Sequence, residues 1–411
     1  MATSMPRTLT ANSTSSAPER VVVLDVLRGV AILGILVMNI QSFGRISSEY
    51  LNPTALGPLP LADWITWVVI HVLADEKFIS MLTLLFGAGI VLMASGSRHP
   101  ADTFEQRFRR RMGWLFLIGL AHGLILWPGD ILAAYAVCGL VAMHFRDHPP
   151  ATLLGFALAM IGGVTALWLL LSAILIFLVP EQWLQTLNER YWQPGTEVVS
   201  DELNRMSLHW LATASERATG ALSAQLWMFF SERLWQMLAM MFIGMALLRL
   251  GFLSGSWSLA SYRRVVLIGL GVGIPLVLLG LWFNEAMDWD LRYSMFLGRI
   301  ANLWGSIAIA LAWVSLVILL AHPDGRRRLL PGVIRALEAV GRLALTNYIG
   351  QSILAAIIFY GIGLGLFSQL GHLELLGIVV LIWAFQITFS LLWQRYVGAG
   401  PIESLWRWLA R

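Results

Sequence analysis

Apolar residues gather into ten runs, at positions 21–43, 78–94, 112–127, 131–145, 153–179, 234–250, 265–283, 300–321, 343–363 and 375–393, with polar connections between them. About 20 mainly apolar residues cross a bilayer as a helix, and ~17 suffice. The pattern predicts an all-α fold, a polytopic integral membrane helix bundle of about ten transmembrane helices, with 131–145 the shortest run. Two further segments suit helices lying along a membrane surface. In 201–227, Leu203, Met206, Leu208, Trp210, Leu211 and Leu222 alternate with charged residues. In 401–411, Pro401 fits a first helical turn with Glu403 beside it, Arg407 and Arg411 follow at the far end, and Trp406 and Trp408 supply interfacial anchors.

The charges orient this bundle. Arg98, Arg107, Arg109, Arg110 and Arg111 lie between runs two and three, Arg249, Arg263 and Arg264 between six and seven, and Arg326, Arg327, Arg328 and Arg335 between eight and nine. Short basic connections stay on the cytoplasmic face, so these connections and both termini are predicted to be cytoplasmic. The stretch 180–231, with Glu181, Glu189, Glu197, Asp201, Glu202 and Glu216, is predicted to face outward, as is the connection holding Glu285, Asp288 and Asp290. A single transmembrane domain is expected over 21–400, between a disordered cytoplasmic tail at 1–20 and a C-terminal interfacial helix at 401–411.

Composition narrows the class. With 58% hydrophobic residues, 13% charged and 19 Trp, the chain suits lipid surroundings and not a soluble domain. The net charge of +4 belongs to arginines near anionic headgroups, making membrane lipids the expected partners and giving no reason to expect nucleic acid. Cys138 is the only cysteine, which excludes an internal disulfide and a cysteine-based metal cage. His144 and His148 run into Pro149 and Pro150 without a third ligand nearby, so no metal is expected.

The stretch LDVLRGVAILGILVMNI from Leu24 resembles the opening of the YeiB-like bacterial membrane family, a family of unknown function. EKFISMLTLLFGAGI from Glu76, GLAHGLILWPGDILAAYAVCGL from Gly119, GRLALTNYIGQSI from Gly341 and GPIESLWRWL from Gly400 fit the same family in order. The resemblance implies a multi-pass protein of the bacterial inner membrane. The Asp-x-x-Arg-Gly start before an apolar span is distantly similar to the transmembrane acyltransferase superfamily, which includes the acyltransferase-three proteins and heparan-alpha-glucosaminide N-acetyltransferase. Asn39 falls where the acyltransferase-three proteins carry a functional histidine; the heparan-modifying enzymes have asparagine there and a histidine shortly after, whereas here the next histidine is His71. The implied chemistry is acyl transfer from cytoplasmic acyl-CoA to an envelope glycan or lipid acceptor. A transporter or exporter is the alternative, expected to show paired interrupted helices in two related halves. A non-catalytic scaffold is another.

Polar groups inside apolar runs are costly and therefore candidates. His122 is the candidate base, Asn39 the candidate oxyanion or substrate donor and Asp130, in the WPGD turn, the candidate partner orienting His122. The bland alternatives are interhelical hydrogen bonding for His122 and Asn39 and a helix cap for Asp130. At 1.5 Å per residue, His122 lies ~15 Å and Asn39 ~21 Å along their helices. Their depths predict a shared cavity, with Asp130 or Lys77 at its outer rim. Lys77, the one lysine among 28 basic residues, is a candidate substrate contact or an interface anchor. Asn347, Gln351 and Gln386 are candidates to line a polar cavity or to bond helices together. Arg28, Asp25, Arg111 and Arg342 are candidates for the coenzyme site, since planar guanidinium groups suit phosphate; topology alone also accounts for such arginines. Nothing in the sequence sets the oligomeric state.

Overall fold

Each of the ten apolar runs forms a helix in the computed structural model, which describes residues 17–95, 101–208, 214–321 and 331–411. In chain order the helices are α1 (Ala17–Gly44), α2 (Leu61–Leu73), α3 (Lys77–Ser95), α4 (Ala101–Ile125), α5 (Leu132–Ala142), α6 (Pro150–Phe177), α7 (Glu181–Leu187), α8 (Thr196–Leu203) and α9 (Ala214–Phe230). There follow α10 (Arg233–Arg249), α11 (Leu259–Ala286), α12 (Leu291–Ser294), α13 (Ile300–Ala321), α14 (Pro331–Arg342), α15 (Ala344–Phe359), α16 (His372–Tyr396) and α17 (Pro401–Leu409). No strand occurs among the described residues. The expected tail lies outside them as far as residue 16, and α1 already begins at Ala17. Arg98, Arg326, Arg327 and Arg328 lie outside them too.

Among the described residues six segments are long and apolar enough to cross a membrane: Val22–Gly44, Leu61–Ser95, Pro150–Phe177, Leu259–Ala286, Leu297–Ala321 and His372–Tyr396. The pair α14 and α15, bent by 84° at Leu343, makes a seventh if taken as one broken span. Burial separates the centre from the lipid face: 78% of the α1 window is inside the bundle, against 28% for α6, α11 and α16. That asymmetry needs apolar residues all round the peripheral helices, which is why their sequences show no polar face.

Two features place the candidate site. The first is close contact between α1 and α14, made possible by paired glycines. A Cβ on Gly341 would sit 1.8 Å from the Asp25 carbonyl oxygen, and one on Gly29 would sit 2.0 Å from that of Leu337. This contact brings Arg28 and Arg342 together at one end of the bundle.

The second feature was read differently from the sequence. The segment 61–73 was expected to be a connection, yet it is a helix that continues into α3 as a 35-residue apolar stretch interrupted at residues 74–76. Glu76 takes a left-handed conformation there, φ 62°, at a cost of about 1–3 kcal/mol for a residue with a side chain. The charged triplet Asp75, Glu76 and Lys77 therefore lies within a broken span.

Candidate functional site

Two cavities approach each other from opposite ends of the bundle. The first, of about 390 Å³, opens between Arg28, Arg111 and Arg342, and its body is apolar: Leu82, Phe86, Leu92, Met112, Leu115 and neighbours. Ile131, Tyr135 and Tyr348 also line it. Asp25 joins two of the mouth arginines, accepting from Arg28 Nη1 at 2.8 Å and lying 3.5 Å from Arg342 Nε. The α17 helix covers this mouth. The Trp406 indole donates to the Arg111 carbonyl oxygen at 2.9 Å, and the Arg111 guanidinium lies 4.8 Å from the Trp406 ring centre. Glu403 accepts from the backbone N–H groups of Leu345 and Thr346 at 2.8 and 3.1 Å, at the positive end of α15. Trp408 faces outward as an anchor would, whereas Trp406 turns inward.

The second cavity, about 210 Å³, is lined by Asn39, Ser42, Tyr50, Glu76, Trp127, Gly129, Ile131 and Arg233, among others. Arg233 pairs with Glu76 across the break in the span. Behind them the Asp75 carboxylate is held by His71 Nδ1 at 3.0 Å and by the Asn302 amide at 3.0 Å, while Asn302 Oδ1 accepts from Lys77 Nζ at 2.7 Å. Lys77 also donates to the His71 carbonyl oxygen at 2.7 Å and is fully buried. The expectation of Lys77 at an outer rim near Asp130 is thus corrected. Because α2 precedes it within the same apolar stretch, Lys77 is enclosed by the bundle and lines neither cavity.

Ile131 lines both cavities, so only a wall separates them. That wall contains a chain of three buried side chains. His122 Nδ1 lies 2.8 Å from Asp130 Oδ1, and His122 Nε2 lies 2.8 Å from Ser352 Oγ. Asp130 is 0% exposed, Ser352 2% and His122 3%. With Asp130 ionised, Nδ1 carries the proton toward the carboxylate and Nε2 accepts from the serine hydroxyl.

Local sequence builds this arrangement. Pro128 follows the end of α4 and cannot continue it, so the chain turns through Gly129 and returns as α5. Asp130 Oδ2 accepts from the Ala133 N–H at 3.0 Å, which caps α5 while Oδ1 faces His122. One carboxylate thus meets both the His122 ring and the first turn of α5. Gly119 leaves room for the turn: a Cβ there would meet Asp130 Oδ2 at 2.7 Å. Gln225 on α9 clamps it from outside, donating to the Pro128 carbonyl oxygen at 3.0 Å. Tyr348, one turn before Ser352, accepts from the Ile131 N–H at 3.3 Å.

The sequence-expected shared cavity for His122 and Asn39 is not formed. Asn39 lines the second cavity, and His122 lines neither; the wall built from Ile131 and its neighbours stands between the cavities. Asn347, Gln351 and Gln386, candidates either to line a polar cavity or to bond helices together, do the second and line neither cavity. Asn347 donates to Ser390 Oγ at 2.9 Å, Gln351 donates to Gln386 Oε1 at 3.1 Å and to the Ile32 carbonyl oxygen at 3.0 Å, and Gln386 donates to the Asn347 carbonyl oxygen at 2.7 Å. Each interhelical bond of this kind contributes roughly 0.6 kcal/mol. Sequence reasoning missed Ser352, Tyr348 and Arg233. The i, i+4 spacing of Tyr348 and Ser352, with Ser352 directly after Gln351, was the available signal.

These features define a helical membrane protein in which a polar wall divides two cavities. Its sequence is 35% identical over 402 residues to the uncharacterized protein YeiB of Escherichia coli K12, covering 95% of this chain and 96% of that one. It is 30% identical over 410 residues to the uncharacterized protein YxaH of Bacillus subtilis 168, covering 95% and 94%. A family model described as a protein of unknown function, DUF418, matches residues 247–411. The chain belongs to this YeiB-like family.

Proposed function

We propose that this protein is a membrane acyltransferase, taking an acyl group from acyl-CoA on the cytoplasmic side and delivering it to a hydroxyl or amine of an envelope glycan or lipid. The observation that carries the reading is the first cavity, with three arginines at its mouth and an apolar body ending beside the wall that holds His122. An amphiphile with a polyphosphate head and a long, weakly polar arm fits that order of chemistry. Arginine binds phosphate through two parallel N–H bonds, and Asp25 holds Arg28 and Arg342 in place for it. His122, oriented by Asp130, is the base for the acceptor's proton. The distant similarity of the opening motif to transmembrane acyltransferases supports the same reading.

In this reading the arginine-rich end and both termini are cytoplasmic, in the bacterial inner membrane. Cysteines introduced at Thr196 and Asp288 in a Cys138→Ser background are expected to label from outside intact cells, and one at Arg335 only after permeabilisation. The reverse pattern would overturn the orientation. Purified protein is expected to bind acetyl-CoA, and His122→Ala to keep that binding while losing transfer. Absence of acetyl-CoA binding by the folded wild type would end the acyltransferase reading.

One observation favours a second reading. The break at residues 74–76, with Asp75 and Glu76 on it and Lys77 directly after, and the 84° bend between α14 and α15 are interrupted helices of the kind transporters use. Solute uptake or efflux without acetyl-CoA binding would favour that reading.

A further inference from the structure

We infer that Ser352 is an acyl-accepting nucleophile, so that the acyl group crosses between the two cavities as an ester on this serine. The inference rests on the acyltransferase reading.

Two elements run from one cavity to the other, and a third, α15, brings Ser352 to them. On α4 and the residues just after it, Leu115 lines the first cavity and Trp127 the second, with His122 between them. In the turn, Gly129 lines the second cavity and Leu132 the first, with Asp130 and Ile131 between. On α15, Tyr348 lines the first cavity and Ser352 lies one turn further along. The three side chains are joined in the order carboxylate, imidazole, hydroxyl at 2.8 Å and 2.8 Å. This is the order in which an imidazole removes a hydroxyl proton while a carboxylate fixes its tautomer.

Both ring nitrogens of His122 are engaged, and Asp130 is itself held by the Ala133 N–H so that it presents one oxygen to the ring. Tyr348 lines the first cavity, its ring centre lies 5.3 Å from that of His122, and its hydroxyl accepts from the Ile131 N–H at a long 3.3 Å. The acyl group passes this side chain to reach the serine.

The chemistry balances in two halves. In the first, Ser352 Oγ attacks the thioester carbonyl of acyl-CoA, its proton passes to His122 Nε2, the C–S bond breaks, and that proton leaves on the CoA thiol. In the second, an acceptor hydroxyl or amine approaching from the second cavity gives its proton to His122 Nε2 and attacks the serine ester. The C–O bond to Ser352 breaks, and the proton returns to Ser352 Oγ. His122 is neutral at the start and end of each half.

The test uses full-length protein in detergent with acetyl-CoA labelled in the acetyl group and no acceptor, quenched in denaturant and followed by intact mass and peptide mapping. One acetyl group per chain is expected on the peptide containing Ser352, with CoA released in equal amount. Ser352→Ala is expected to lose the adduct and slow CoA release at least about 100-fold, with its Kd for acetyl-CoA unchanged. Ser352→Cys is expected to carry a thioester that neutral hydroxylamine removes, which distinguishes loss of chemistry from loss of fold. Acetyl-CoA binding by the wild type without any adduct, or an adduct on another residue, would overturn the role of Ser352 and leave the acyltransferase reading standing. Failure of the wild type to bind acetyl-CoA would overturn both.

Discussion

The two cavities handle charge in opposite ways. Around the first, Asp25 is buried but the arginines it joins keep contact with solvent: the Arg28 side chain is 33% exposed and that of Arg342 50%. Around the second, charges lie within a broken span, where Lys77 is 0% and Asp75 7% exposed and Glu76 faces Arg233. A solvated arginine costs the fold little and is available to a ligand. A charge inside a bundle is tolerated only when its partners are fixed, and its retention there marks a functional constraint. Under the acyltransferase reading the first cavity recognises its ligand at the mouth, whereas the second has its polarity fixed by the fold itself.

The largest expected effect breaks or upholds this contrast directly. Arg233→Met leaves the Glu76 carboxylate without its partner beside the buried Asp75, and because the pair is only partly buried, with side chains 28% and 22% exposed, thermal unfolding in detergent should show a loss of about 2 kcal/mol. The double variant Glu76→Gln with Arg233→Met should recover most of that loss. Arg28→Met, in contrast, should change stability by less than about 1 kcal/mol. Equal losses at Arg233 and Arg28 would show that the two ends do not differ in this way.

Much of this architecture was legible in the sequence because it depends on local pattern. Apolar runs marked the helices, and the WPGD turn marked Asp130 as a candidate partner of His122 or a helix cap, a contact of 2.8 Å in the structure. The alternation of arginines indicated which side chains would gather at one end. What remained hidden depends on which helix faces which. Ser352 lies 230 positions from His122, and a serine in an apolar helix is ordinary packing material. Similar depths along α1 and α4 suggested a shared cavity for Asn39 and His122, but depth carries no information about rotation, and rotation sends Asn39 into the second cavity. Lys77 was misread because 61–73, a 13-residue helix, is too short to register as a span by itself; only its continuation into α3 encloses the triplet.

A smaller effect sharpens the recognition side of the contrast. Arg28→Ala should weaken acetyl-CoA binding roughly 10-fold, equivalent to about 1.4 kcal/mol for a lost charge-assisted contact. Arg28→Lys should restore part of it, because an ammonium keeps the charge and lacks the planar fork. Isothermal titration of both variants against the wild type measures this, with helix content confirming the fold. Unchanged affinity in Arg28→Ala would assign this arginine to topology and packing alone.

The smallest expected effect concerns pH. It falls at Glu202 of α8, which is buried against the chain after α1. Its carboxyl accepts from the Ser47 N–H at 3.0 Å and the Ser47 hydroxyl at 2.5 Å. Burial raises its pKa above the usual carboxylate range, with Glu49 adding to the rise and Ser47 and Arg205 opposing it. A raised pKa in the docked state means that the proton is held more tightly there than in the detached segment. Docking of α8 is therefore strongest below the ordinary glutamate range and weakens as pH rises through the raised value. Hydrogen exchange in the peptide covering residues 196–208, corrected for intrinsic rates, should show less protection at neutral than at acidic pH. Glu202→Gln should flatten that dependence, because its amide keeps an acceptor for Ser47 without titrating. A gain in protection as pH rises would mean that Ser47 and Arg205 outweigh burial, and that this end holds Glu202 as an anion.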